Sequence, residues 1–410
     1  MKNKRKIIND PVFGFITIPS ELLYDLIQHP YLQRLTRIKQ LGLSSFVYPG
    51  TQHSRFQHSI GAMYLMNEAI NQLRSLGYDI SKEDGEGALV AILLHDIGHA
   101  PFSHVLENSL VGGISHEEIS WLMMQQINRE MDGRLAIALQ IFKGDHSHYF
   151  LHQLVTGQLD IDRLDYLRRD SFYSGVTEGN IGSDRIIKML DLYKGRLVVQ
   201  EKGIYSIEKF LMARRLMYWQ VYLHKTSIAA EQLLIHAMTR AKELALQGEE
   251  LFATPALRFF LYNSIEKNDF LDRPEVLEQY ALLDDSDIIS ALKVWISHPD
   301  KVLSTLSNGF INRHLFKVKI LKEPLSKLEC KELNTQYQTH FGLCEHDANF
   351  FWAVEEVTNE TYNPNEDGIQ IKYNNGDVKD ITEASDMFNL EVLAKEVKKY
   401  YLCYWPQGMN

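Results

Sequence analysis

The chain has 410 residues, 45% apolar and 23% charged, a composition ordinary for a soluble globular protein and a length that suggests two domains. Its formal net charge of −10 argues against sequence-independent binding to nucleic acid or an anionic membrane, while leaving room for a local basic pocket that takes an anionic nucleotide. No segment approaches the roughly 20 apolar residues of a membrane span. The basic start Met1-Lys2-Asn3-Lys4-Arg5-Lys6 leads into no signal-peptide core. Cys330, Cys344 and Cys403 follow no zinc or disulfide spacing, and together these features point to a reducing cytoplasm.

Residues 7–20 read as extended around the turn-like Asn9-Asp10-Pro11. Helices are expected to dominate from Ser20 to about Gln247. Leu32, Leu35, Ile38 and Leu41 recur at helical spacing after Pro30, and residues 59–76 repeat the pattern. The run Ala88–Leu94 is apolar all round and is expected to be buried. Ser115 and Glu118 form a capping-box pair that predicts a helix through Asn128, and residues 206–247 read as one long helical stretch. Beyond that the composition shifts. Thr254-Pro255 and Asp284-Asp285-Ser286-Asp287 open helices, whereas Leu315–Leu321, Phe350–Val357, Ile369–Tyr373 and Val378–Ile381 read as strands. The last two flank Asn374-Asn375-Gly376-Asp377, a hairpin signal. The expected architecture is a mainly α bundle over residues 1–248 and a smaller mixed α/β domain over 249–410.

Chemistry concentrates in the first part. His95-Asp96 follows seven apolar residues, and a carboxylate placed there needs a compensating cation or a capping role. His99 falls one turn after His95, Gly98 permits close packing, and His104 follows. His58 opens the helix at Ser59; alone it would read as a hydrogen-bonded structural histidine. The acidic segment Asp160-Ile161-Asp162-Arg163-Leu164-Asp165-Tyr166 offers a further ligand, with Asp162 favoured, although spacing does not choose among Asp160, Asp162 and Asp165. Two imidazoles and two carboxylates suit one divalent metal ion, Mn, Fe, Ni, Zn or Mg, able to activate water against a phosphate ester. His116-Glu117 is an acid/base candidate. His146, His148 and His152 read as a surface patch.

Arg55-Phe56-Gln57-His58-Ser59, His95-Asp96-Ile97-Gly98-His99-Ala100-Pro101-Phe102-Ser103-His104 and the 160–166 segment together resemble the HD-domain metal-dependent phosphohydrolases. They match the branch that includes the SAM-and-HD-domain deoxynucleoside triphosphate triphosphohydrolase and its bacterial relatives. Asn9-Asp10-Pro11, Gln33-Arg34-Leu35, Ile38-Lys39-Gln40-Leu41-Gly42, Val47-Tyr48-Pro49-Gly50 and Tyr222-Leu223-His224-Lys225 also resemble that branch. The similarity covers roughly residues 7–240, and the joint motif set is far more specific than one His-Asp pair.

The resemblance implies an HD-domain helical bundle, the metal ligands His58, His95, Asp96 and Asp162, and His99, His104 and His116 around the reacting phosphate. Glu107 stands where the family carries Asp. Arg55, Arg163 and Lys225 would offset phosphate charge, while Gln40, Leu41, Tyr166, Asp170 and Tyr222 match positions that contact sugar or base. The implied reaction is hydrolysis of a deoxynucleoside triphosphate to nucleoside and tripolyphosphate by a homodimer or homotetramer. His104, supported by Glu107 or His116, would protonate the 5′ oxygen. Lys6 and Ile7 match the branch's activator site, but Gln28 and Thr36 replace the Asp and Arg that recognise an activating guanine, which puts that activation in doubt. Alternatives are an HD phosphohydrolase acting on another nucleotide (a 5′-nucleotidase, cyclic-nucleotide phosphodiesterase or guanosine polyphosphate hydrolase) and a non-catalytic nucleotide sensor.

Overall fold

The computed structural model describes residues 6–103, 111–359, 362–363, 367–386 and 397–407; His104 and Glu107 lie outside these ranges. The fold is mainly α with small sheets, as expected. Three helices carry the site. Arg55–Ser75 starts at a Ser54/Gln57 capping box, which satisfies backbone amides that a helix start otherwise leaves unpaired. In Lys82–Leu94, Ser81 caps the first turn and every residue from Ala88 to Leu94 is buried. Burying a Leu or Ile side chain contributes roughly 1.5–3 kcal/mol, so this run anchors the helix with its C-terminal His95 at the centre. Ile161–Ser174 is capped by Asp160 and ends at Gly175.

The contact between the first and third of these helices depends on Gly61. A Cβ there would lie 2.0 Å from Arg169 Nη2 and 2.1 Å from Asp165 Oδ1, so only glycine lets that ion pair lie against the neighbouring backbone. The capping box at Ser115 and Glu118 forms, and its helix runs His116–Glu130, two residues beyond the expected end.

Residues 7–20 form the antiparallel hairpin Ile7–Asp10 and Gly14–Thr17. A second hairpin, Leu190–Tyr193 with Arg196–Gln200, interrupts the region expected to be helical throughout. Its turn residues Lys194 and Gly195 have φ of 50° and 77°, the two positive φ values of a two-residue hairpin turn. The long stretch expected over 206–247 is also broken. It comprises Ile204–Met217, a π-helical turn Tyr218–Tyr222, and Lys225–Leu246. The break is physical: His224 leaves the helical conformation and its Nδ1 accepts the Thr226 amide, starting a new helix.

The later strands form, as does the hairpin across residues 374–377. Strand Gln370–Lys372 pairs in parallel with Arg196–Gln200, with Val199 opposite Ile371. The four-stranded sheet therefore joins the first part of the chain to the last. Val397–Tyr404, not anticipated from the sequence pattern, is the central strand of a second sheet, between Lys317–Leu321 and Trp352–Asn359. The buried apolar residues form one connected cluster from Ile16 to Trp405. Among the described residues, no helix is long and apolar enough to cross a membrane.

One feature of this packing is pH-sensitive. Burial, with Glu355 adding repulsion, pushes the half-buried Glu231 carboxyl up to about 7. A carboxyl raised above its unfolded value contributes stability below the unfolded pKa and loses that contribution as pH rises through the folded one. Glu231→Gln should therefore stabilise the protein by about 1–3 kcal/mol at pH 8, with the difference vanishing near pH 4. Urea titrations at the two pH values check this; a gap independent of pH would contradict it.

Candidate active site

His58, His95 and Asp162 converge, with one ligand atom from each lying within 4.8 Å of the others. His58 Nε2 lies 3.4 Å from His95 Nε2 and 3.0 Å from Asp162 Oδ1. Asp96 joins them, with Oδ1 at 3.3 Å from His95 Nε2 and Oδ2 at 3.7 Å from His58 Nε2. Both imidazoles are oriented from behind. His95 Nδ1 donates to the Ile92 carbonyl at 2.6 Å, and because a carbonyl only accepts, the Nε2 lone pair faces the centre. His58 Nδ1 donates to Asp165 at 2.7 Å, an imidazole–carboxylate backing typical of metal ligands.

The three acidic residues that spacing left unresolved are separated by their surroundings. Asp160 caps its helix, accepting from Arg163 N at 2.7 Å and Gly157 N at 2.9 Å. Asp165 is fully buried behind His58 and receives Arg169 Nε and Nη2, both at 2.9 Å. Arg169 Nη1 continues to Asp10 at 2.7 Å, tying the N-terminal hairpin to this network. Asp162 alone of the three faces both imidazole Nε2 atoms.

This donor set fits a divalent metal. Burial opposes a charge on His58, yet its hydrogen bonds to Asp162 and Asp165 push it up to about 10: the cluster calls for positive charge. Burial likewise opposes ionisation of Asp162 and Asp96, and the neighbouring imidazoles hold both below the usual carboxylate range.

Of the surrounding residues, His99 and His116 stack with ring centroids 3.9 Å apart, and His99 Nε2 lies 3.3 Å from Asp96 Oδ1. Gly98 allows this approach, since a Cβ there would sit 2.3 Å from the His116 carbonyl. His116 Nε2 contacts Glu117 at 3.2 Å. Arg55 is buried, with Nη1 on Asp96 at 2.5 Å and Nε and Nη2 on Ser103 Oγ at 3.1 and 2.8 Å; its guanidinium is committed to the protein. Arg163 Nη1 contacts Asp160 at 2.8 Å, while its buried Nε has no partner among the described residues.

The aromatic wall lies beside them. Tyr222 donates to Asp170 Oδ2 at 2.9 Å, and Tyr166 and Tyr222 meet edge to face with centroids 5.9 Å apart. Gln40 and Leu41 are half-buried, and Gln40 Oε1 has no partner among the described residues. Lys225 is exposed at the start of its helix. Gln28 and Thr36 are exposed, and Lys6 Nζ lies 3.9 Å from the Tyr24 ring centroid. His146 contacts Asp84 at 3.1 Å and belongs to a separate patch.

Two residues here were not singled out from the sequence. His53 is buried, holds Asp170 Oδ1 at 2.7 Å and stacks on Tyr173 at 4.3 Å. Arg214 is buried, its Nε without a partner among the described residues, and its charge, like that of Arg163, bears on Tyr166. The available signals were a histidine two residues before Arg55 and a cation pair, Arg214-Arg215, closing a largely apolar helix.

Comparison with known proteins agrees with this geometry. Residues 55–170 match the HD domain and residues 181–255 the HD-associated region. A crystal structure of a phosphohydrolase from Bacteroides thetaiotaomicron is 62% identical, with a TM-score of 0.95 over 98% of this chain and 100% of that one. The uncharacterized protein YwfO of Bacillus subtilis is 28% identical over 99% of this chain and 93% of its own length. The deoxynucleoside triphosphate triphosphohydrolase SAMHD1 of Homo sapiens is 26% identical over 58% of this chain, a match spanning 45% of the human protein. With its paired histidines and aspartates brought together at the ends of three converging helices and these relatives, the chain belongs to the HD-domain phosphohydrolases.

Proposed function

We propose that this phosphohydrolase converts deoxynucleoside triphosphates to nucleoside and tripolyphosphate. The observation that carries the reading is the Tyr166–Tyr222–Asp170 wall, with Asp162 and Arg163 on the same helix as Tyr166 and Asp170. The similarity to SAMHD1 supports it. A divalent metal held by His58, His95, Asp96 and Asp162 would supply positive charge to a phosphoryl oxygen and lower the pKa of an attacking water.

The chain's own residues do the rest. Arg163 and Arg214 draw the phosphate chain through guanidinium donors that the protein leaves partly unused. Asp170, with one oxygen on His53 and the other on Tyr222, keeps the sugar wall rigid, and the Tyr222 ring crowds a 2′-hydroxyl. We assign protonation of the leaving 5′ oxygen to His104, supported by Glu107 or His116. Arg55, already spent on Asp96 and Ser103, acts by holding the metal-ligand carboxylate. We further propose a cytoplasmic homodimer or homotetramer, a setting supported by the free cysteines and by exposed Ile7 and Phe15 on the N-terminal hairpin.

The test is incubation of the Mn-loaded protein with each deoxynucleoside triphosphate, singly and mixed, with the products resolved by phosphorus NMR. Tripolyphosphate is expected. Release of orthophosphate or pyrophosphate alone would overturn the reading in favour of another phosphoester reaction, and turnover only in mixtures would reinstate a nucleotide activator. Arg214→Gln should raise KM about 10-fold or more, since charge-assisted hydrogen bonds contribute about 1.5–3 kcal/mol, with metal content unchanged. Steady-state kinetics check this, and an unchanged KM would remove Arg214 from the phosphate subsite.

A further inference from the structure

A buried carboxylate from the last third of the chain reaches the loops beside the site. Asp285 begins the Asp285–Trp295 helix and is only 8% exposed. Its Oδ2 accepts the Lys39 amide at 3.0 Å and its Oδ1 the Phe102 amide at 2.8 Å. These amides belong to two separate segments. The first continues into Gln40 and Leu41. The second is a turn in which Phe102 and Ser103 have φ of 55° and 59°, a left-handed conformation that non-glycine residues hold only when their surroundings impose it. Ser103 Oγ then receives Arg55 and lies 3.3 Å from the Lys39 carbonyl, closing a ring of contacts among the two segments and Arg55.

Helix capping does not account for Asp285. Asp284 does that work, accepting the Ser286 amide at 2.8 Å and completing a capping box with Asp287. Both Asp285 oxygens turn away from their own helix toward the site loops. Burial raises the Asp285 pKa, and the two amides offset part of that rise, so its position is maintained against a desolvation penalty. Its neighbours reinforce it. Tyr280 donates to the Gly98 carbonyl at 2.9 Å, Arg34 bridges the Leu283 and Ile97 carbonyls at 2.6 and 3.2 Å, and Asp284 receives Arg37 at 2.5 Å. This segment lies outside both family-matched regions, 55–170 and 181–255.

We propose that Asp285 is a positioning residue that locks the Lys39–Leu41 and Phe102–Ser103 segments together and so fixes the substrate-facing wall relative to the metal ligands. The proposal rests on the assignment of Gln40 and Leu41 to substrate contact. It also gives residues 280–285 a role in the reaction, as the brace between the C-terminal region and the site.

The test compares full-length, metal-loaded wild type with Asp285→Asn and Asp300→Asn. An asparagine keeps the shape but offers one acceptor oxygen in place of two. Asp300 caps the Lys301–Ile311 helix and pairs with Arg240, and so controls for lost capping in the same region. Asp285→Asn should raise KM about ten-fold, with kcat and metal content within about two-fold of wild type. Its amides at 39–41 and 102–103 should exchange faster with deuterium. Asp300→Asn should lower the melting temperature and leave KM unchanged. A wild-type KM in Asp285→Asn, or a fall in kcat that only tracks lost folded protein, would overturn the proposal. If wild type cleaves bis(p-nitrophenyl) phosphate but no deoxynucleotide, the substrate reading fails separately, and the same KM comparison is made on that ester. If wild type cleaves neither, amide exchange decides, and unchanged protection at 39–41 and 102–103 overturns the proposal.

Discussion

Asp162→Asn should abolish tight divalent-metal binding and lower phosphoester turnover about a thousand-fold, while leaving the protein folded. Asp162 faces both imidazole Nε2 atoms, at 3.0 and 3.5 Å. Its amide counterpart keeps the volume but removes the charge that the two histidines and a cation share. A metal contributes several kcal/mol of transition-state charge stabilisation, and about 4 kcal/mol corresponds to a thousand-fold in rate. Metal analysis of the purified variant, together with turnover under excess Mn, makes the measurement. Full metal content with lost activity would remove Asp162 from the ligand set and make it a substrate contact. Asp160→Asn gives the contrast. Among the described residues, Asp160 accepts only from Gly157 and Arg163, so this variant should weaken the helix cap and retain metal.

Asp165→Ala should have the largest effect on stability, a loss of about 3–5 kcal/mol, because removing one member of a fully buried ion pair leaves the other charge unpaired. Asp165 and Arg169 are both 0% exposed. The same carboxylate also holds His58 Nδ1, so metal affinity should fall along with the unfolding free energy. Urea unfolding and metal titration of the same variant read the two effects. A loss below about 1 kcal/mol would mean that Asp10, which already holds Arg169 Nη1, suffices for the buried guanidinium.

Much of the site was legible because its chemistry is written in local patterns. A carboxylate directly after a fully apolar run, as at Asp96, must be compensated wherever the chain folds. The helix start at Ser115 follows from capping chemistry confined to three or four residues, whereas the helix expected from Ser59 begins at Arg55, capped at Ser54. The Leu190–Gln200 hairpin carried such a local signal too, in Lys194-Gly195, but stood among helical patterns that obscured it.

Other features depend on residues distant in sequence. The 160–166 segment alone cannot separate Asp160, Asp162 and Asp165, since which carboxylate meets His58 Nδ1 and which meets Nε2 depends on how the Arg55–Ser75 and Ile161–Ser174 helices pack at Gly61. The resemblance implies a phosphate contact for Arg55; its contacts with Asp96 and Ser103 depend on the turn at residues 102–103. His53 meets Asp170 across 117 positions, and Asp285 meets Lys39 across 246. The sequence by itself determined the helical class, the helix start at Ser115 and the inventory of candidate metal-binding side chains, because propensity, capping and burial act within a few residues. Tertiary structure decided which donor faces which, because hydrogen bonds between distant segments exist only once the core has brought them together.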